Sequence, residues 1–571
     1  MRLQKKRVRG YTYWYLVESK RVDGKPRTVW QHYLGKAEDI WARLANPSTA
    51  GDVVVAEFGA MAALLSIATR LGLEEIIDSV AQKRHQGVGV GKYLLLAAIN
   101  RVVAPKSKTQ IGSWYEKTFL RRHWGISNSF FSSQQFWRAM DRVDEKALVA
   151  IEDAVTAAAI TEFGVKVQAL AYDATNFLSY IGTPNPAELP QRGHNKQKRN
   201  DLRQINLALL SSTDGHVPLM HTVYPGNVPD PTAFGQALGR LQERYHSLAA
   251  FTDEGITVVF DKGNPSKENM TSVFGAELSF VSSLVPSYYK ELLEIPWSEY
   301  SDVDSERFPG LTAYMTNRKV YGRECRIVVT YNPALWVGQA RGFRHQQKQI
   351  ERGLEVVQTR LARWREKPTP RGRRPTPATV ERVIKRLGRG REAGAYLRWE
   401  FTLEEGGNLH LITTWDEDAI GRLLEQQFGK TILFSDHTDW DASKIVAAYR
   451  GQGTLENAFR QMKDPHFVTF RPVFHWTDQK IRVHSAYCVL ALLLASLLHR
   501  EARAAGFTGD FDALMETLND IRMVVDLPEK GRRKPVNVRL TRRTPEQDRL
   551  FQQLGLIAYQ PKPESGAATQ P

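Results

Sequence analysis

The chain reads as an α/β protein of several domains, on three observations. Its 571 residues exceed what one hydrophobic core organises. A central stretch, 161–285, alternates strand and helix patterns in the order β-β-β-α-β-α-β. Hydrophobic residues make up 42% of the chain and aromatic residues 10%, a balance that excludes a disordered polymer.

Residues 1–45 predict a small basic β-hairpin module. YTYWYLVES and RTVWQHYLG flank Asp23-Gly24, a strong turn signal, and ten basic residues face two acidic ones between Met1 and Lys36. Residues 46–160 predict a helical DNA-binding domain, with AEFGAMAALLSIATRLGLEEIIDSVA and KYLLLAAINRVV as its clearest helices. There Lys106, Lys108, Lys117, Arg121 and Arg122 interleave with Trp114, Tyr115, Trp124, Phe130 and Phe131. That mixture suits phosphate contact and base stacking, although aromatics at helical spacing are more often core. Ser132 or Ser133 is positioned to cap the helix that follows. Gly87–Lys92 is no nucleotide loop: its glycines lack the four-residue spacing, and Tyr93 follows the lysine where Ser or Thr is needed.

In 161–285, the first part of the core, VKVQALAYDATNFLSYI is a strand carrying Asp173, and two further strands flank the Asp214-Gly215 turn. A helix leads to GITVVFDKGN, a buried strand ending at Asp261, and Ser266 caps the next helix. Asp261 thus sits at a strand's carboxyl end, where α/β sheets gather their sites. Residues 286–440 read as a β-rich insertion. Its middle, 341–391, holds sixteen Lys or Arg against four Glu. Ile350, Leu354, Val357, Leu361 and Trp364 form a heptad-like seam there, KPTPRGRRPTP breaks the chain, and a second helix follows. The expected object is a projecting basic helical arm that contacts phosphate. Residues 441–505 close the core with helices, and 506–571 form a basic carboxyl-terminal tail with a disordered polar end.

The formal charge of +16 and a pI near 9.6 point to a polyanionic partner, nucleic acid first. Two cysteines, Cys325 and Cys488, exclude a disulfide framework or a cysteine zinc site and suit a reducing compartment. MRLQKKRVRGYTYW has charges without an apolar core behind them, so it is no secretory signal. The longest apolar run, Ala486–Leu498, reads as a buried core helix too short to span a bilayer, so no membrane partner is expected.

In YRGQGTLENAFRQMK, residues 449–463, apolar Leu455, Ala458, Phe459 and Met462 define one helical face. Glu456, Arg460 and Lys463 recur on another, a pattern that by itself is more often only a solvated stripe. Displacing a phosphodiester oxygen in line calls for two hard divalent ions, Mg²⁺ with Mn²⁺ as a substitute, held by about three carboxylates. Asp173, Asp261 and Glu456 supply such a set from separate elements. The fourteen histidines include no H-x-x-x-H pair to compete for a metal.

Tyr449, Glu456 and Lys463 carry the spacing Y-x2-R-x3-E-x6-K, which resembles the signature of bacterial insertion-sequence transposases of the insertion-sequence-four superfamily. YDATNF around Asp173 and VVFDKGN around Asp261 resemble that family's two aspartate motifs. PLMHTVYPGNVPD resembles the segment between them, and RPVFHWTDQKIRVH the continuation of the glutamate helix. The resemblance spans about 165–500. It implies a DDE enzyme with a ribonuclease-H-like core, interrupted by the β-rich insertion. It further implies Asp173, Asp261 and Glu456 as catalytic metal ligands, and Tyr449, Arg450, Gln452, Arg460 and Lys463 against DNA. The partners it implies are double-stranded DNA, as terminal inverted repeats and target, and a second copy of the chain in a homodimeric synaptic complex. The setting is the cytoplasm, on the nucleoid. Gln452 stands where the signature has arginine; either Arg450 substitutes from a shifted position or Gln452 makes a neutral contact. Relatives hold a flipped base on an aromatic, for which Trp336, Trp415, Trp440 and Trp476 are candidates. Two alternatives stay open: a ribonuclease-H-like nuclease or resolvase without strand transfer, and a non-catalytic domesticated DNA-binding protein.

Overall fold

The structure, a computed structural model, describes every residue except 9–10, 23–24, 39, 42–51, 83–86, 183–184, 196, 253–254, 277, 367–372, 405–407, 465–467, 472, 474, 528–536 and 562–571. The expected Asp23-Gly24 turn, part of the KPTPRGRRPTP break, the run EKGRRKP and the polar end therefore lie outside the described residues. The chain divides into two compact units, one of residues 1–166, 174–228 and 456–571, the other of 167–173 and 229–455.

The first unit begins with an antiparallel meander of Arg2–Val8, Tyr11–Val22 and Lys25–Gly35, one strand more than the predicted hairpin. Its core is built on the helix Asp478–Ala504, which packs on the helices Val90–Val103 and Gly59–Arg70. This helix has the length and apolarity to cross a membrane, yet 89% of its most apolar window is buried inside the protein. It is the core helix the apolar run foretold, extended at both ends. The expected DNA-facing aromatics are largely interior: Trp114, Tyr115 and Phe131 are buried, with the last two rings edge-on at 4.6 Å. Phe130 alone of that set is 45% exposed. Ser132 occupies the capping position of Ser133–Met140, although its side chain makes no cap bond.

The described part of 506–571 is not a loose tail. Arg522–Leu527 pairs with both Asn537–Leu540 and Asp52–Glu57, and the helices Phe511–Asn519 and Pro545–Gln553 flank it. The β-branched runs VVVA and MVVD suit this pairing, which joins segments too far apart in sequence for periodicity to link.

The second unit is organised on a mixed sheet. In spatial order its strands are Ser301–Asp302, Thr312–Val320, Arg323–Tyr331, Lys430–Ser435, Ser279–Leu284, Thr257–Phe260 and the first residues of Ala169–Ser179. The last three run parallel and the others antiparallel. The flanks of the expected insertion thus belong to the sheet itself. Their runs RIVV and TILF are interior strands, and Ile327, Val328, Val329, Ile432, Leu433 and Phe434 are buried. What lies outside the sheet is 333–428, an arm made of the long helix Pro333–Glu366, the helix Pro377–Gly388 and the hairpin Leu397–Glu404/Asn408–Trp415. The predicted seam holds this arm together, since Ile350, Leu354, Val357 and Leu361 are buried in one cluster with Val380 and Ile384. Thr376 and Thr379 form a reciprocal capping box on the second helix.

Candidate active site

The Asp173 strand and the Asp261 strand are parallel neighbours, with Ala169 opposite Thr257 and Ala171 opposite Val259. Continuing that register by two residues sets Asp173 level with Asp261, on strands about 4.8 Å apart. Side chains at equivalent positions of parallel neighbours share a face, so both carboxylates leave the sheet together. The residues behind them, Leu170, Ala171 and Tyr172 beside Val258, Val259 and Phe260, are buried and fix the register. Beyond this apolar base Asp173 is half-buried and Asp261 exposed.

Asp261 is oriented from two sides. Its Oδ1 accepts the Lys262 amide at 2.8 Å and the Tyr449 hydroxyl at 3.0 Å. The Tyr449 oxygen also lies 2.9 Å from Ser283 Oγ. Tyr449 has one proton and a carboxylate only accepts, so Ser283 donates to Tyr449 and Tyr449 donates to Asp261. Tyr449 reaches this position because Ile445 and Val446, earlier in the helix Ala442–Lys463, pack on the sheet with Val259, Val281 and Leu433. A cavity of about 500 Å³ opens beside Asp261 and Tyr449, with Lys262, Gln339 and Lys430 on its walls.

One turn further along the helix, Gln452 Nε2 donates to the Tyr172 carbonyl at 3.4 Å. The residue expected on DNA is therefore in contact with the backbone that presents Asp173. Arg450, exposed, lies with its guanidinium 4.8 Å from the Phe308 ring. Burial, and then the charges of Asp230 and Asp173, push the Tyr172 hydroxyl well up, so it stays protonated. In the other unit, Lys463 donates from Nζ to Thr175 Oγ1 and lies 5.7 Å from the Phe177 ring. Glu456 and Arg460 are exposed, while Leu455, Ala458, Phe459 and Met462 are buried as their periodicity predicts. At 100° per residue, Tyr449, Gln452, Glu456 and Lys463 fall on one helical face.

The paired aspartates are oxygen donors of the kind hard divalent ions take, and the Oδ2 of Asp261 has no hydrogen bond to a described residue. Among the described residues, no group of three or more His, Cys, Asp or Glu is placed to hold a metal ion. Ser283 and the Ser283–Tyr449–Asp261 chain are absent from the sequence reading. The only prior sign was a pair of serines inside the apolar strand LSFVSSLV. Of the tryptophans, Trp336 donates to Leu424 O at 2.8 Å and Trp415 to Glu351 at 3.0 Å, both within the arm. Trp440 stacks on His437 at 3.7 Å, and Trp476 is 60% exposed.

Residues 168–471, more than half of the chain, match the family model described as a transposase DDE domain. No curated protein sequence matches. Among solved structures the chain is similar to a piggyBac transposase synaptic complex with hairpin DNA, at 10% identity and a TM-score of 0.36, covering 80% of this chain and 79% of that one. The matched span contains both aspartates, the arm and the whole Tyr449–Lys463 helix, and by it the chain belongs to the DDE transposase family.

Proposed function

We propose that this transposase binds the terminal inverted repeats of an insertion sequence, cuts its ends, and joins the freed 3′ hydroxyls to target DNA. The reading is supported by the register of the adjacent parallel strands inside the matched span, which, carried two residues on, sets Asp173 beside Asp261 just past its strand's end. Asp173 and Asp261 would hold divalent ions, Mg²⁺ or Mn²⁺, with Glu456 as third ligand. The case for Glu456 is its place on the helical face of Tyr449 and Gln452. Bound there, two such ions stabilise the attacking and leaving oxygens of an in-line displacement.

The chain's own residues then have distinct tasks. Tyr449, backed by Ser283, holds one oxygen of Asp261 and leaves the other outward. Gln452 steadies the carbonyl that precedes Asp173. Lys463, Arg450 and Arg460 meet DNA phosphate, and Arg450 supplies the charge that Gln452 lacks. Two ends are processed together by a homodimer. The motif order of Asp173, Asp261 and Tyr449–Lys463 supports the insertion-sequence-four branch of bacterial transposases.

The test is incubation of the purified chain with inverted-repeat duplex and Mg²⁺, with products resolved for cut strands and joined 3′ ends. Cutting and joining support the proposal. Cutting without joining assigns the chain to a nuclease or resolvase, and DNA binding without cutting assigns it to a non-catalytic role.

A further inference from the structure

The helix Pro333–Glu366 has 34 residues, about 51 Å at 1.5 Å per residue. One face, carrying Phe343, Ile350, Leu354, Val357 and Leu361, is buried in the arm. Arg341, Arg344, Lys348 and Arg352 advance by three, four and four residues along the face roughly opposite, and all four are exposed. Val337, one turn earlier on that face, is 48% exposed. A groove of about 420 Å³ runs alongside, lined by Trp336, Val337, Ala340, Arg341, Arg344, His345 and Lys348, with the half-buried Trp336 tied to Leu424 O through its indole N–H. None of the four cations has an ion pair with a described residue, and Glu355 ends the row.

Like charges one turn apart on a helix each cost about 0.2–0.5 kcal/mol. Glu351 and Glu355 lie beside only the far end of the row, so much of the repulsion among the four cations, spread over about 16 Å, is left for an anion of high linear charge density to offset. Duplex DNA carries a negative charge per about 1.7 Å of axis, enough to face every member of the row. Between Arg341 and Arg352 the ridge exposes no Phe, Tyr or Trp ring and only the smaller imidazole of His345, a poor platform for stacking unpaired bases.

We infer that Arg341, Arg344, Lys348 and Arg352 form a sequence-independent binding ridge for the backbone of duplex DNA, separate from the carboxylate pair. The inference rests on the transposase reading for its choice of DNA over another polyanion, but its test does not. The full chain is titrated in EDTA with a duplex lacking the inverted repeat, at a series of KCl concentrations. The quadruple variant Arg341→Gln, Arg344→Gln, Lys348→Gln, Arg352→Gln lowers the slope of log K against log salt by about 3 to 4, near 0.9 per lost phosphate contact. At 0.1 M salt its affinity falls by about 10³-fold, with an unchanged unfolding midpoint. A variant of the second helix, Arg382→Gln, Arg386→Gln, Arg389→Gln, changes the slope less.

An unchanged slope in the first variant overturns the ridge. So does an equal loss in the second, which would make the attraction diffuse. Equal loss on single-stranded DNA of the same length overturns the duplex assignment. Because EDTA removes any cleavage, failure of the cutting chemistry leaves this measurement intact, and failure of the ridge leaves the cleavage assay untouched.

Discussion

Replacing Lys108 by methionine should stabilise this protein and flatten its dependence on pH. Although part of Lys108 remains at the surface, its Nζ is enclosed: it donates to Tyr487 Oη at 2.8 Å and lies 3.0 Å from His475 Nε2. The rings of Trp137 and Tyr487 flank it at 5.2 and 5.1 Å. Among the described residues no carboxylate offsets the charge; burial and then Arg101 push the amine down to about 7 from its ordinary 10.5. At about 1.36 kcal/mol per pH unit that drop caps the cost of the folded ammonium at about 5 kcal/mol. The folded value lies below the unfolded one, so the unfolded chain binds the extra proton between them. Stability is full above about pH 10.5 and is lost as pH falls towards 7. His475 and His484, held neutral mainly by burial and further by the charge of Lys108, continue the loss below pH 6.5, less steeply in the variant, which lacks that charge. Lys108→Met forfeits two hydrogen bonds and two cation–π contacts, together about 3 kcal/mol, leaving a net gain of roughly 1–2 kcal/mol at pH 7. Urea unfolding followed by circular dichroism at pH 7, 8, 9 and 10 measures it. The wild-type midpoint should climb with pH and the variant's climb less. A variant less stable at pH 7, or one whose midpoint climbs as steeply, refutes the reasoning.

Two further outcomes are specific to the site and the arm. Tyr449→Phe removes the donor to Asp261 while keeping the ring. It should raise the metal concentration for half-maximal cleavage by about 10–100-fold, with Mn²⁺ binding by calorimetry weakened in step. An unchanged metal requirement would detach Tyr449 from Asp261. Gly394→Ala places a Cβ 2.5 Å from Gly388 Cα where the two backbones meet inside the arm. It should cost about 1–3 kcal/mol and expose the arm to limited proteolysis, with the carboxylate pair untouched.

The parts legible in the sequence are those set by local pattern. Asp173 and Asp261 could be put on strands because each lies in an apolar run bounded by turn residues, and the arm's seam was visible because Ile350, Leu354, Val357 and Leu361 keep a helical period. Pairings between distant segments were not legible. Arg323–Tyr331 and Lys430–Ser435 read as insertion because nearly a hundred residues separate them, yet they are adjacent strands. Asp52–Glu57 finds its partner at Arg522–Leu527, which turned an expected tail into a sheet. The bond from Tyr449 to Asp261 joins residues 188 apart, so no spacing rule announces it. Trp114, Tyr115 and Phe131 are buried, in line with the core reading that their helical spacing favoured over a stacking surface.

The central claim is that three carboxylates from separate elements act as one metal-dependent site. It is tested most directly by strand cleavage of inverted-repeat duplex in Mg²⁺ by Asp173→Ala, Asp261→Ala and Glu456→Ala, beside their binding to the same duplex in EDTA. The account predicts that each variant binds DNA within a few-fold of wild type and that none cuts it. Undiminished cutting by any one variant would contradict the account and remove that residue from the site.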